Sequence, residues 1–407
     1  MAADHQDDDE PVPVSYAAHV EHVMRKAAEG GQLSVVPKNP NLLEYQAKRL
    51  MSQRGFEYVN GGAGELLTLN ANRLAFRRWN IIPRVLRPTS PRDLSVTLFG
   101  YKYDTPVIMA PVGVQSVYHP DKEIGSARAC AALRVPFTLS TASSTGIQEL
   151  VEACPEGPKW YQLYWPADDD ITVSLLSRAR AAGYQVLVVT LDIWTLKGWR
   201  PRGIDTSEVG FEDPVFRAKL AKHAGGSTPE ADREAAVAFW LGQCFPGVSR
   251  NWDQLAVLRK HWDGPIVLKG ILSVEDAKLA VEYGIDGIIV SNHGGRQVDG
   301  AVATLDILPL IVDAVGNDIT VMLDSGIRTG ADMVKALALG AKAVFVGRPI
   351  LYGLGIDGMA GALAVLAGLL TDLDLTMGYA GVKNVPELDR AAILREAKLP
   401  GHGRPRL

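Results

Sequence analysis

Gly287-Ile288-Ile289-Val290-Ser291-Asn292-His293-Gly294-Gly295-Arg296-Gln297 carries two messages. Its first four residues form an apolar run of strand length, stabilised by leaving water. The run then ends in a polar triplet, two glycines and an arginine. Paired glycines permit a tight turn that side chains would block. The turn leaves an imidazole able to move a proton near neutral pH, and a guanidinium able to hold a carboxylate, at one strand end. A capped strand with a surface arginine is the plain alternative, and the rest of the chain decides between the two.

Outward from this stretch a rhythm appears. Apolar runs of strand length occur at 107–110, 137–139, 160–164, 186–189, 266–268, 287–290, 319–323 and 343–346. Most gaps between them hold an amphipathic helix, as in 273–283 and 330–339. Ser273 suits an N-cap, with Glu275 and Asp276 in the first turn. Gly183, Gly284 and Gly340 fall where helix gives way to strand, which suits a C-terminal cap. Short apolar strands alternating with helices imply parallel βαβ units, and eight of them imply an α/β fold of the (β/α)8 TIM-barrel type. One gap is too long: 192–265, with a polar stretch from Pro201 to Arg250, predicts a long loop after the fourth strand that serves as a lid. Residues 41–60 read as an N-terminal helix that breaks at Tyr58-Val59-Asn60-Gly61-Gly62.

Composition fits a globular protein: 407 residues, 47% hydrophobic and 22% charged. The net charge of -4 gives no electrostatic case for nucleic acid. No apolar run approaches the roughly 20 residues that span a bilayer. Cys130, Cys154 and Cys244 show neither paired nor metal-ligand spacing and read as reduced thiols of an intracellular protein. The N-terminus lacks a signal pattern, and its acidic start reads as a solvated tail. These readings divide the chain into a flexible extension (1–40), the barrel (41–391) and a C-terminal tail (392–407). Cytoplasmic residence is expected, although Pro405-Arg406-Leu407 resembles a weak peroxisomal address.

Barrel active sites form at the C-terminal strand ends. Here those ends supply Val112 and Gly113, Ser140, Gln162 and Tyr164, then Thr190 and Asp192. Next come Lys269, Ser291, His293 and Arg296, then Asp324, Gly326 and Arg328, and last Gly347 and Arg348. Any one could be a solvated strand end, but so many converging on one rim cost desolvation unless something binds there. The two turns after the seventh and eighth strands each carry an arginine, and loops at those strands commonly cradle phosphate. Lys269, beside such a group, could stabilise a developing anion.

Together, Ser291-Asn292-His293-Gly294-Gly295-Arg296-Gln297, Leu323-Asp324-Ser325-Gly326-Ile327-Arg328, Lys269-Gly270, Gly347-Arg348-Pro349 and Tyr161-Gln162-Leu163-Tyr164 resemble the FMN-dependent α-hydroxy acid oxidase family, which includes glycolate oxidase, lactate oxidase, lactate monooxygenase and mandelate dehydrogenase. The resemblance runs from about Tyr45 to Ala391. It implies that His293 takes the α-hydroxyl proton of the substrate, with the α-hydrogen passing to flavin N5 as hydride and Asp192 pairing with the imidazolium. It implies that Arg296 and a second arginine hold the substrate carboxylate, with Tyr58 adding a hydroxyl and Tyr164 touching the substrate oxygen. Lys269 would stabilise charge on the reduced flavin. Ser140, Gln162 and Thr190, with the backbone of Val112 and Gly113, would bind the ring. Arg328, Gly347 and Arg348 would hold the phosphate, and Ser291, Asp324 and Gly326 complete the cofactor set. By resemblance the assembly is a homotetramer.

The chain departs from the family pattern in places. The second carboxylate arginine falls at Arg200, one position later than usual after Asp192, with Arg202 as the alternative. The context Gly198-Trp199-Arg200-Pro201-Arg202 most resembles lactate monooxygenase. Gly113 stands where many oxidases have alanine, which reads as extra space near the flavin. Ala142 replaces a bulky aromatic of glycolate oxidase and disfavours a pocket for two-carbon acids. No room is left for a haem module, so electrons are expected to pass to O2 or to a separate acceptor. Three outcomes stay open for a lactate-like 2-hydroxy acid: an oxidase, a monooxygenase giving the decarboxylated product, or a dehydrogenase. Outside them stand a non-catalytic flavin-binding barrel and an enzyme for larger or peptide-derived hydroxy acids.

Overall fold

The computed structural model describes residues 36–195 and 208–395, together with Ser15, Tyr16, Ala18, Arg25 and Glu29. From residue 36 onward three helices come first: α1 (Pro40–Leu50), α2 (Gln53–Asn60) and α3 (Leu67–Arg77). The single helix expected over 41–60 is therefore two, because Met51 turns extended and Ser52 caps α2 by accepting from Gly55 N at 3.1 Å. Strand β1 (Trp79–Ile81) and a hairpin of β2 (Val96–Leu98) and β3 (Tyr101–Tyr103) follow.

The barrel then runs β4 (Val107–Met109), α4 (Lys122–Ala132), β5 (Phe137–Ser140), α5 (Ile147–Ala153), β6 (Lys159–Leu163), α6 (Asp169–Ala181) and β7 (Val186–Thr190). After an insertion with α7 (Pro214–His223), α8 (Arg233–Cys244) and α9 (Leu255–His261) it continues: β8 (Ile266–Ile271), α10 (Val274–Glu282), β9 (Gly287–Val290), α11 (Thr304–Val315), β10 (Thr320–Leu323), α12 (Gly330–Ala338), β11 (Val344–Val346) and α13 (Arg348–Tyr379). Strands β4 to β11 pair in parallel and close, as the eight apolar runs predict. The expected caps are present. Ser273 accepts from Asp276 N at 3.0 Å, and Gly183, Gly284 and Gly340 adopt positive φ.

Two cores result. One lies between barrel and helices. The other fills the lower barrel with Ile108, Trp160, Val186, Val188, Val267, Ile289, Met322 and Phe345. The β2–β3 hairpin plugs its floor: Leu98 and Tyr103 join this inner core, and the Trp160 indole donates to the Tyr103 hydroxyl at 3.1 Å. With the floor sealed by apolar packing, only the C-terminal rim is open to a ligand.

Several sequence expectations need correction. Among its described residues the insertion after the fourth barrel strand is mostly helical, where a long loop was expected. Buried Asp213 caps α7 through Val215 N and Phe216 N, and Phe216 and Trp240 pack edge to face beneath it. No residue of α7, α8 or α9 lines the cleft described below. Arg200 and Arg202 lie outside the described residues. At the C-terminus, β12 (Ile393–Arg395) pairs antiparallel with β1, so the folded unit extends past the expected boundary at 391. At the N-terminus, Tyr16 is 4% exposed; its hydroxyl donates to Leu133 O at 3.1 Å, so part of the supposed flexible extension is packed. Finally, α13 is long and apolar enough to cross a membrane by length and composition. It breaks at Asp357–Gly358 and packs against α1, α4 and α12, which accounts for its apolar surface.

Helices α12 and α13 approach closely at Gly330, where a Cβ would lie 2.2 Å from Asp372 C and Leu373 N. Both are backbone atoms that cannot swing aside. Gly330→Ala is expected to cost about 1–3 kcal/mol, read as a lowered melting temperature; an unchanged one would contradict this close approach.

Candidate active site

Side chains on a strand alternate between faces with a period of two. The inner core residues Ile108, Trp160, Val188, Val267, Ile289, Met322 and Phe345 therefore predict which later residues face inward. Two positions further on stand Ala110, Gln162, Thr190, Lys269, Ser291, Asp324 and Gly347. Two beyond that, where the chain has left the strand, come Val112, Tyr164, Asp192 and His293. The polar rim is the apolar barrel core continued in the same register.

The turn after β9 is held in a costly conformation. His293 has φ 57°, in the left-handed region unusual for a residue with a side chain. Its N–H donates to Ser291 Oγ (3.1 Å), Gly294 N donates to Ser325 Oγ (2.9 Å) and Gly295 N to Asn292 Oδ1 (3.0 Å). Asn292 and Asn72 exchange amide hydrogen bonds, 2.8 and 2.7 Å long, in full burial. Ala63 N donates to Gly295 O, and Asp299 accepts from Glu65 N and Thr68 N at the start of α3. The turn is thereby fastened to the N-terminal helices.

Around it lies a buried charge cluster. His293 Nδ1 is 2.7 Å from Asp192 Oδ1, a hydrogen bond that fixes Nδ1 as the protonated nitrogen and leaves Nε2 able to accept a proton. Lys269 Nζ lies 3.4 Å from Asp192 Oδ2, 3.5 Å from His293 Nδ1 and 3.7 Å from Asp324 Oδ2. Burial opposes the Asp192 charge, but His293 and Lys269 outweigh it and hold this carboxyl down at about 2. Burial likewise opposes the Lys269 charge, and Asp192 and Asp324 overcome it to raise the ammonium above its ordinary range. For His293 burial wins: with Lys269 and Arg296 nearby it lowers the imidazole against the pull of Asp192. The result is a neutral imidazole beside a fixed carboxylate and a fixed cation.

A cleft of about 790 Å³, open mouth included, lies over this cluster. Tyr58, Val112, Gly113, Tyr164, Lys269, His293 and Arg296 line one part, and Asp324, Gly326, Arg328, Gly347 and Arg348 the other. Arg296 Nη1 donates to Tyr58 O (2.6 Å) and Gly61 O (3.1 Å), and its guanidinium sits 4.8 Å from the Tyr58 ring centroid. Among the described residues Arg296, Arg328 and Arg348 form no ion pair. Burial, with the Arg296 and Arg328 charges, pushes Arg348 down to about 9. Three guanidiniums sharing a cleft without a carboxylate partner call for an anionic ligand.

Ser140, Gln162 and Thr190 form one buried chain across three strand ends. Ser140 Oγ donates to Gln162 Oε1 (2.8 Å), and Gln162 Nε2 donates to Thr190 Oγ1 (3.0 Å). The space expected at Gly113 is absent: a Cβ there would lie 2.4 Å from Ala142 O. Glycine is needed because the backbone after β5 closes on the backbone after β4, and Val114 N donates to Ala142 O at 2.9 Å. Buried Glu123 secures the same junction by accepting from Gln115 N, Ser144 N, Ser144 Oγ and Thr145 Oγ1.

Sequence reasoning missed Tyr118, Asn72 and Glu123. Tyr118 lines the cleft and stacks on Tyr58 with centroids 6.2 Å apart, and among the described residues its hydroxyl has no partner. None of the three follows a strand directly, so the strand-end rule does not reach them.

A sealed barrel with a buried histidine–aspartate pair, a buried lysine and an arginine-lined cleft defines a class: a barrel enzyme built for an anionic cofactor and an acidic substrate. The chain belongs to the FMN-dependent dehydrogenase family, whose profile matches residues 47–395. It is 49% identical over 96% of its length to the FMN-dependent alpha-hydroxy acid dehydrogenase qulF of Penicillium citrinum, covering 98% of that protein. It is 39% identical to an L-lactate oxidase of Lysinibacillus sphaericus, over 84% of this chain and 88% of that one. Among solved structures, mandelate oxidase with 3,3-difluoro-2-hydroxy-3-phenylpropionic acid superposes with a TM-score of 0.73 at 35% identity, covering 87% of this chain and 98% of that one. FMN is the cofactor of this chain. The residues fit it: Arg328, which forms no ion pair among the described residues, suits its phosphate, and the polar chain of Ser140, Gln162 and Thr190 suits a heteroaromatic edge.

Asn72 stands 220 residues from Asn292, yet its loss should be felt at the base. Asn72→Ala removes two buried hydrogen bonds from the Asn292 amide, which keeps Gly295 N and Val302 O, and is expected to cost about 1–3 kcal/mol, measured by thermal unfolding of the holoenzyme. Unaltered stability would contradict the pairing.

Proposed function

We propose that this chain oxidises a small (S)-2-hydroxy acid, lactate-like rather than glycolate-like, to its 2-oxo acid with O2 as acceptor. The observation that carries this reading is the 2.7 Å contact of His293 Nδ1 with Asp192, beside buried Lys269 and within a cleft shared with Arg296. His293 Nε2 takes the α-hydroxyl proton, and Asp192 carries the imidazolium that forms. Arg296, with Tyr58, holds the carboxylate; Arg200, or Arg202 in its place, is the second clamp, and Tyr164 steadies the reacting oxygen. FMN, when bound, supplies the acceptor for the two electrons leaving the α-carbon. Lys269 places a cation where negative charge builds on that acceptor, and its paired carboxylates keep it charged. Ser140, Gln162 and Thr190, with Ser291 and the backbone of Val112 and Gly113, hold the ring. Arg328 and the backbone of Gly326, Gly347 and Arg348 receive the phosphate, and Asp324 steadies Lys269. A homotetramer in the cytoplasm completes the proposal, and sedimentation checks the assembly.

The dehydrogenase names among the relatives support a second reading for the acceptor alone, in which electrons pass to another carrier. Anaerobic flavin bleaching by glycolate, L-lactate and (S)-mandelate tests the substrate. L-Lactate is expected to bleach faster than glycolate; failure of every 2-hydroxy acid would sink the reading. Re-oxidation in air then tests the acceptor: pyruvate with peroxide marks an oxidase, acetate with CO2 a monooxygenase, and a persistent reduced flavin a dehydrogenase.

His293→Gln is expected to keep bound FMN, seen in its absorbance, and to lose about 10²–10⁴-fold in turnover. Normal turnover would refute the base assignment. The rate needs neutral His293, whose pKa is lowered. The acid limb of kcat/KM is therefore expected below the ordinary imidazole value of about 6.5. Asp192 pulls that pKa upward, so Asp192→Asn should move the limb lower still while slowing turnover.

A further inference from the structure

Arg348 opens α13 and stands, by position, among the groups expected at the phosphate. Its side chain is engaged elsewhere. Nε donates to Val59 O (2.8 Å), Nη2 to Gly61 O (2.8 Å) and Nη1 to Gly294 O (3.0 Å). Val59 and Gly61 close α2, the helix that carries Tyr58, and Gly294 directly follows His293. Carbonyls at the end of a helix lack partners inside it, and a guanidinium can satisfy several at once. The fit is tight: a Cβ on Gly294 would come within 2.4 Å of Arg348 Nη1. Tyr352, one turn along α13, grips the same helix end through its hydroxyl, which donates to Asn60 Oδ1 at 2.8 Å.

We infer that the Arg348 guanidinium is a positioning residue, fastening the Tyr58 end of α2 to the His293 turn and so setting the distance between carboxylate clamp and base. Side-chain contact with the cofactor phosphate then falls to Arg328, whose Nη1 donates to Ile327 O at 2.9 Å. Arg348 contributes its charge and its backbone there. The inference rests on the 2-hydroxy acid reading for the meaning of that distance, but the fastening itself can be tested without substrate.

Lysine keeps the charge but lacks the planar fork that here spans carbonyls on two separate segments. The experiment compares Arg348→Lys, Tyr352→Phe and Arg328→Lys. FMN affinity is read by fluorescence quenching on titrating apoprotein, and KM and kcat for L-lactate are read at saturating FMN. Arg348→Lys is expected to hold the FMN Kd within about threefold and raise KM about tenfold. Tyr352→Phe should raise KM about two- to fivefold with FMN affinity unchanged, and Arg328→Lys should weaken FMN most. Hydrogen exchange over residues 58–61 in the holoproteins is expected to quicken in Arg348→Lys. The inference is overturned if Arg348→Lys weakens FMN as much as Arg328→Lys and leaves KM at saturating FMN unchanged. Unchanged exchange over 58–61 overturns it too. If Arg348→Lys does not fold, an unchanged KM in Tyr352→Phe overturns it. Wild-type flavin that no acid bleaches would refute the functional reading, and the exchange comparison would still decide the fastening.

Discussion

The hydrogen bond between Asp192 and His293 is the interaction around which the rim is arranged. A neutral imidazole and an ionised carboxylate must be kept together out of water, and each alone would be expensive to bury. Lys269 makes this possible by giving Asp192 a permanent counter-charge, while Asp324 gives Lys269 a second one. The four groups come from four neighbouring strands, β7 to β10, so barrel closure is what brings them within hydrogen-bonding range. Fold and chemistry are one constraint here. Opening the barrel at any of those strands would leave a buried charge unpaired.

The same logic explains why the turn after β9 tolerates a left-handed histidine. The strain is local, and the fastenings are distributed: Ser325 just after β10, Asn72 from α3, Ala63 from the turn between α2 and α3, and Arg348 from the last barrel helix. A loop held from several directions has little freedom to relax. Binding groups and base are thus referenced to one another through backbone carbonyls, not only through the side chains that meet a ligand.

Much of this was legible in the sequence, for a definite reason. Apolar runs of strand length report burial on both faces, so the eight strands and their order could be read directly. The strand-end rule then located Lys269, His293, Asp324 and the arginine turns. What escaped depended on contacts between distant segments. Asn72, Tyr118 and Glu123 act through partners that no local pattern announces. Gly113 read as open space because the missing methyl was visible and the approach of Ala142 was not. The insertion after β7 read as a loop because its helices bury few large residues, chiefly Phe216, Leu220, Trp240, Leu255 and Leu258, and the polar remainder masks their period. Arg348 was expected at the phosphate from its position, and only its geometry shows where the guanidinium goes.

The path of the chain through the site has a further consequence for its biosynthesis. Tyr58 and His293 are 235 residues apart in the sequence, and the arginine that ties their segments together comes later still, at the start of α13. A nascent chain emerging from the ribosome has its substrate-facing helix and its base long before it has the part that joins them. The contacts that join the two segments can therefore form only once the start of α13 has been made.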